Sequence, residues 1–371
     1  MKFLWISERI TVSVLPIRHY SSKPPWNVLF FGTDQFSLYT LKLLNRYHSK
    51  SELINKLDVL TSLKKNANVV HKYAEKHNLP LYDWPHIPGD RTYDVGLVVS
   101  FGYLIPEAII AKFQYGILNV HASILPKWRG AAPIIHAIAH GDKESGITVM
   151  RIKPHHFDVG EILLQEKVPI GDNTEMPELH QCLGELGAKS LMKTLEDLPN
   201  YIQSAVPQSN DNVSYVSQYY LMARGHKVSW RRHESNVKII IKIRLVVVFF
   251  FGAPKITPEF INIRWNQMTS TQVYNLYRAL KGYSPVMSTW QGIPTKLSEI
   301  KICTDVNASE IEFGPGFVKY DKRTKVLKVL CADMTLVSVS SISVYGKRVM
   351  NATDFNNGFL KKTVIDLRYF K

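Results

Sequence analysis

Cysteine is scarce: Cys182, Cys303 and Cys331 are the three in 371 residues, far apart and without a C-x-x-C pair. A disulfide scaffold and a cysteine-ligated zinc site are therefore excluded, and a reducing compartment fits. Neither G-x-G-x-x-G nor G-x-x-x-x-G-K-[ST] occurs, so a glycine-rich phosphate cradle is not the basis of ligand binding. No low-complexity tract or short repeat is present, which removes disordered, collagen-like and solenoid classes. No apolar run is long and charge-free enough to span a bilayer, and no membrane partner is expected. Acidic residues are also few, 31 against 46 basic, for a net charge of +15. What the chain does have is apolar material: 45% hydrophobic residues over this length suffice for two domains.

The excess charge is unevenly placed. Residues 27–215 carry 18 basic against 20 acidic side chains, whereas residues 216–252 carry +6 and residues 253–371 carry +8. A near-neutral first domain followed by a basic second one suits chemistry in the first and a polyanion on the second, although a generally basic compartment would give the same total. Residues 1–26 carry Lys2, Arg9, Arg18 and Lys23 against Glu8, with Leu4, Trp5, Ile6 and Ile10 between them. This basic, acid-poor segment reads as a mitochondrial targeting leader, ending near Ser21 after Arg18-His19-Tyr20; the alternative is an ordinary loose N-terminus.

Residues 27–215 alternate between strand and helix patterns. Apolar runs at 28–31, 95–100, 116–121 and 147–152 are followed, after the first three, by helical spacing at 36–44, 107–113 and 133–140. Continuous apolar strands alternating with helices predict a doubly covered parallel sheet, with ligands outside the carboxyl ends of its strands. At one such end, Asn119 and His121 are two apart and so share a face. An amide and an imidazole converging there make an oxyanion site with a proton carrier, or else satisfy nearby backbone. Asp158, in His155-His156-Phe157-Asp158, is placed to orient His121 or to be a solvated loop acid. A metal reading of His155, His156 and Asp158, or of His136-x-x-x-His140, is not favoured, because Ala137 stands where H-E-x-x-H has its acid.

The run Asn119-Val120-His121-Ala122-Ser123-Ile124-Leu125-Pro126-Lys127-Trp128-Arg129-Gly130-Ala131-Ala132-Pro133 resembles the methionyl-tRNA formyltransferase signature N-V-H-x-S-L-L-P-[KR]-W-R-G-A-A-P. The similarity continues through Phe30-Phe31-Gly32-Thr33, Ser100-Phe101-Gly102-Tyr103-Leu104-Ile105-Pro106, Gly146-Ile147-Thr148-Val149-Met150, Phe157-Asp158-Val159-Gly160-Glu161 and Ala253-Pro254-Lys255-Ile256. Ala122 and Ile124 depart from the residues most frequent in that pattern, by small apolar changes. The resemblance implies a Rossmann-like formyltransferase domain over 27–215 and a smaller, basic OB-like β-barrel domain over 253–371. It implies transfer of a formyl group from 10-formyltetrahydrofolate to the α-amino group of initiator methionyl-tRNA, without a metal. Asn119, His121 and Asp158 take the catalytic positions. Ser123, Ile124, Leu125 and Pro126, with Phe101, Gly102, Tyr103, Leu104 and Ile105, take the folate-binding ones. Lys64 and Lys65 stand where the family has a longer basic loop towards the acceptor end. A monomer in the mitochondrial matrix is expected. The same Asn, His and Asp set also serves other folate-dependent formyltransferases and formyl-folate hydrolases, and a catalytically dead folate- or RNA-binding module remains the non-enzymatic alternative.

Residues 216–252 interrupt this pattern, and joining Tyr215 to Ala253 restores it. The segment has a basic half, with Arg224, Lys227, Arg231 and Arg232, and an apolar half ending in the run 245–251. It reads either as an added RNA-binding element or, as we favour, as translated intron. Val216-Ser217 can be encoded by the splice-donor sequence GTAAGT, and the Val and Phe run by thymine-rich codons; Gly252 leaves the far boundary open. An uncharged β-branched and aromatic run is an aggregation hazard when exposed. We expect deletion of residues 216–252 to preserve formyl transfer and raise soluble yield, as measured by turnover and by sequencing the mature transcript. An inactive deletion variant would overturn this.

Overall fold

The computed structural model describes residues 22–63, 67–89, 92–209, 256–304 and 312–371. Most of the leader, Lys64 and Lys65, and the whole 216–252 segment lie outside the described residues. Strands that are apolar at every position must be covered on both faces, and β1 (Trp26–Gly32) is buried throughout except at half-buried Asn27. The chain turns at Asp34, whose side chain and that of Ser37 form a capping box for α1 (Gln35–Lys50). Next come β2 (Ile54–Thr61), α2 (Val69–Lys76), β3 (Leu81–Asp83), β4 (Val95–Val99), α3 (Glu107–Ile110) and β5 (Ile117–His121). The first domain ends with α4 (Pro133–Ala139), β6 (Glu144–Arg151), β7 (Ile162–Pro169), α5 (Met176–Glu196) and α6 (Leu198–Gln203).

The seven strands lie in the order β3-β2-β1-β4-β5-β6-β7. Those from β3 to β5 are parallel, and the winding reverses between β1 and β4, which opens a crevice at their carboxyl ends. Beyond β5 the predicted parallel sheet is extended by antiparallel strands, β6 and β7 each running opposite to the strand before them. The helix before β6 explains the reversal. With 7 residues, α4 is about 10 Å long, too short to carry the chain back along the sheet. Strand β6 therefore begins near the end of β5, with Thr148 opposite His121. The helices are also unequally shared. Val28, Phe30, Leu97, Leu118 and Val120 face a core completed by α1, α2, α4 and α5, whereas Leu29, Phe31, Val98 and Ile117 face a smaller one built with Phe101, Ile105, Phe113 and the single-turn α3.

The second domain contains α7 (Pro258–Ile261), α8 (Ser270–Leu280), β8 (Val286–Trp290), β9 (Ile293–Ile302), β10 (Val318–Asp321), β11 (Val326–Leu330), β12 (Leu336–Val344), β13 (Met350–Asn351) and α9 (Ala352–Gly358). Its strands pair antiparallel in the order β10-β11-β12-β9-β8, with β13 added to β12. Residues 368–371 then bond to both free edges. The Val318 N–H donates to Arg368 O at 2.8 Å and the Phe370 N–H to Gly316 O at 2.9 Å, while Thr289 and Lys371 exchange backbone bonds of 2.7 and 3.0 Å. One short segment thus bridges the two edge strands and curls the antiparallel sheet towards the expected small barrel.

Helix α8 joins the domains. Buried Arg278 donates from Nη1 to the carbonyls of Gly171 and Thr174 at 3.1 and 2.8 Å, and Tyr274 donates to Asn173 Oδ1 at 3.0 Å. His136 of α4 is buried at the same junction, stacked on Trp128 and meeting Phe260 of α7 edge-on at 4.9 Å between centroids. Its Nε2 has no hydrogen-bond partner among the described residues. Burial, reinforced by neighbouring His140, pushes its pKa down from 6.5 to about 4. The unfolded chain therefore binds a proton at this position between those values while the folded one does not. Stability is fully present above pH 6.5 and lost as pH falls through the folded pKa near 4, by about 3 kcal/mol. We expect chemical unfolding measured across this range to show a shallower pH dependence in His136→Gln than in the wild type.

Candidate functional site

On β5, Leu118 and Val120 enter the helix-covered core, so alternation turns Asn119 and His121 to the opposite face, as expected. Asp158 reaches them by a different route from the one its sequence position suggests. Because β6 is antiparallel, its carboxyl end lies beside the start of β5, where the Ile152 N–H donates to Ile117 O at 2.8 Å. The loop 152–161 folds back over the sheet, and Asp158 occupies left-handed backbone with φ 53°, an uncommon conformation for a residue with a side chain. Gly160 permits this path, since a Cβ there would lie 1.5 Å from the carbonyl oxygen of Arg151.

The three side chains converge. Asn119 Nδ2 donates to Asp158 Oδ1 at 3.2 Å, the Gly130 N–H donates to Asp158 Oδ2 at 2.8 Å, and His121 Nδ1 lies 3.6 Å from Oδ2. His121 Nε2 is 2.9 Å from the backbone oxygen of Trp128. A carbonyl can only accept, so Nε2 carries hydrogen and Nδ1 is the ring atom turned to the carboxylate. His121 and Asp158 are buried, at 6% and 9% exposure. The arrangement offers an amide donor, an imidazole edge and a carboxylate around one point, which suits stabilising an oxyanion while moving a proton.

Trp128 supplies that carbonyl from left-handed backbone, φ 58°. Its indole is held by a 2.7 Å bond from Nε1 to Asp142 Oδ2 and by contact with His136 and His140.

Beside this point lies the loop Ser123, Ile124, Leu125 and Pro126. Thr148 Oγ1 donates to Ser123 O at 2.7 Å and accepts from the Leu125 N–H at 3.1 Å, and Gln165 Nε2 donates to Leu125 O at 2.9 Å. Ser123 and Leu125 are buried, and Ile124 packs where a Cβ on Gly146 would stand. The second expected loop lies on the same face. Phe101 is buried, with its ring 5.5 Å from Phe31, 5.3 Å from Trp84 and 5.1 Å from Tyr103. Gly102 and Leu104 are exposed, and Ile105 is buried. Thr33 Oγ1 donates to Ser100 O at 2.8 Å, and Ser100 also donates to the Asp34 carboxylate, so this loop is tied to the turn after β1. Phe101 and Ile105 pack with Ile117 of β5, on the sheet face to which Asn119 and His121 turn.

His155 and His156 point elsewhere: exposed His155 lies 3.6 Å from Glu107, and His156 Nδ1 lies 3.1 Å from Pro154 O. Among the described residues, no three His, Cys, Asp or Glu side chains gather to hold a metal ion. Sequence reasoning missed Thr148, Gln165 and Gln208, which support the site through the backbone. Thr148 carried a signal, a hydroxyl in an otherwise apolar strand; the two glutamines carried none.

Residues 90–195 match the formyl transferase family and residues 255–360 match the formyl transferase C-terminal domain. The mitochondrial methionyl-tRNA formyltransferase of Bos taurus is 39% identical over 347 residues, covering 91% of this chain and 78% of its own. That of Homo sapiens is 38% identical over the same share of this chain and 79% of its own, and the methionyl-tRNA formyltransferase of Rickettsia felis is 33% identical over 58% of this chain and 73% of its own. Among solved structures, the N-formyltransferase from Helicobacter canadensis, in complex with folinic acid and dTDP-3-aminofucose, superposes with TM-score 0.56 at 17% identity, covering 86% of this chain and 99% of that one. That likeness concerns the fold. With the two-domain match, the level of identity and the coverage of both partners taken together, the chain belongs to the methionyl-tRNA formyltransferase family.

Proposed function

We propose that this protein transfers the formyl group of 10-formyltetrahydrofolate to the α-amino group of initiator methionyl-tRNA, in the mitochondrial matrix. The observation that carries the chemistry is the convergence of Asn119, His121 and Asp158 on the sheet face that also carries the Phe101 loop. Trp84, Phe101 and Tyr103 suit a flat pteridine, and the backbone of residues 123–126 offers it hydrogen-bonding groups. An α-amino group has a pKa of about 8, so an adequate fraction is a free nucleophile near neutral pH. As the amine adds to the formyl carbon, Asn119 Nδ2–H donates to the developing oxyanion, and His121 joins it as a donor in the doubly protonated form that the neighbouring Asp158 carboxylate favours. With Nε2 committed to Trp128 O, His121 acts through Nδ1. Asp158 orients that edge of the ring and collects the proton lost by the new C–N bond. The tetrahedral centre then collapses: Asp158 returns that proton to N10 as the C–N10 bond breaks, tetrahydrofolate departs, and the methionyl nitrogen is left as a formamide. The mitochondrial assignment rests on the named mitochondrial relatives and on the basic, acid-poor leader.

The acceptor assignment is supported by the second domain. Pairing in the barrel places Lys319 opposite Lys328, Lys328 opposite Ser338 and Ser338 opposite Lys301, a row of lysines across neighbouring strands. Lys301 and Lys319 are exposed, and Lys328 pairs with Asp321 at 2.8 Å. Such a row matches a phosphate backbone better than a small sugar or nucleotide acceptor.

Asn119→Ala, His121→Ala and Asp158→Asn should each lower kcat by about a hundredfold or more with little change in tRNA affinity. Single-turnover formylation and equilibrium binding measure this, and wild-type turnover in all three would overturn the chemistry. Lys301→Ala combined with Lys319→Ala should weaken tRNA binding and reduce the dependence of log K on log salt by about two. An unchanged salt slope would remove this row from the RNA contact.

A further inference from the structure

Gln208 stands five residues beyond α6, near the end of the first domain's described residues, and its side chain reaches back behind the reaction centre. Its Oε1 accepts two bonds from buried Arg129, from Nε at 3.0 Å and Nη2 at 2.7 Å. Its Nε2 donates to the backbone oxygens of Asp158 and Gly160 at 3.0 and 2.8 Å and lies 3.8 Å from Met150 Sδ. The direction of the amide follows from its partners, because guanidinium N–H groups only donate and carbonyls only accept. One amide thus joins the loop carrying Trp128, Arg129 and Gly130 to the loop carrying Asp158, the two segments whose relative position brings the Gly130 N–H to Asp158 Oδ2.

That position needs support, because Asp158 and Trp128 are both held in left-handed backbone and residues with side chains leave it readily unless their surroundings fix them. The bond from Gln208 is to the carbonyl of Asp158 itself, so it acts directly on the peptide that aims the carboxylate. We infer that Gln208 is a positioning residue for formyl transfer, holding the Asp158 carboxylate towards Asn119 and His121 by clamping its loop to Arg129. The inference rests on the catalytic role proposed for Asp158. It also gives the chain leaving the first domain a part in the chemistry of that domain.

Two substitutions separate the halves of the clamp. Gln208→Glu keeps the size and the acceptor for Arg129 but cannot donate to the two carbonyls, whereas Gln208→Leu removes both functions without adding charge. Displacing a reacting group by a fraction of an ångström is costly in rate, so each should lower kcat by about tenfold or more. The Michaelis constants for the folate donor and tRNA, and the melting temperature, should stay near those of the wild type. In an Asp158→Asn background, Gln208→Leu should cost nothing further, because its effect passes through the group already lost. Wild-type kcat in either Gln208 variant, a loss confined to the Glu variant, a loss accompanied by an equal fall in folate or tRNA affinity, or full additivity with Asp158→Asn would overturn the inference. Full activity of Asp158→Asn alone would instead overturn the role of Asp158, so the two failures are distinguishable.

Discussion

A carboxylate taken out of water is costly unless hydrogen bonds and a partner charge or dipole replace its hydration. Asp158 meets that requirement with groups from two other segments: an amide side chain and a histidine edge from β5, and a backbone N–H from the signature loop. The surrounding geometry follows from satisfying this one group. The return path of loop 152–161, the glycine at 160 and the left-handed residues on both sides are the means by which a carboxylate that starts from the wrong end of an antiparallel strand is delivered to the right place. Strain of this kind persists where surrounding bonds over-determine it, and active sites are where it accumulates.

The groups proposed for catalysis were partly legible in the sequence: Asn119 and His121 stand out against an apolar strand, whereas Asp158 is one loop acid among several. Asn119 and His121 interrupt an apolar strand at a spacing of two, which fixes their shared face whatever the neighbouring strands do. Strand direction was not legible. Ile147, Thr148, Val149 and Met150 read the same in a parallel or an antiparallel partner; the length of α4 was read to within one residue, but its bearing on strand direction depends on where the helix packs. The barrel strands were visible from their β-rich runs, but closure by residues 368–371 depends on long-range pairing that four residues cannot advertise.

Supporting residues were hidden for another reason. Gln165 and Gln208 act on backbone carbonyls, and any stretch of chain offers such carbonyls. No spacing or composition marks a glutamine whose partners are peptide groups distant in sequence. Arg278 is similar: it looks like one more basic residue on an amphipathic helix, yet it is buried and spends its donors on the carbonyls of the facing domain. Its charge therefore counts towards domain docking rather than towards the basic surface of the second domain.

That docking bears on how a large acceptor would be received. The guanidinium of Arg278 is sealed against main-chain oxygens, and the apolar face of α8 continues the core of the first domain. Separating the domains would break these charge-assisted bonds and expose a hydrophobic seam together. On the proposed reading, these contacts favour an acceptor arm meeting a preformed template. The entropic and unstacking costs of bringing its aminoacylated end into the crevice then fall on the RNA, so the ease with which that end can be peeled from its helix becomes part of what is selected.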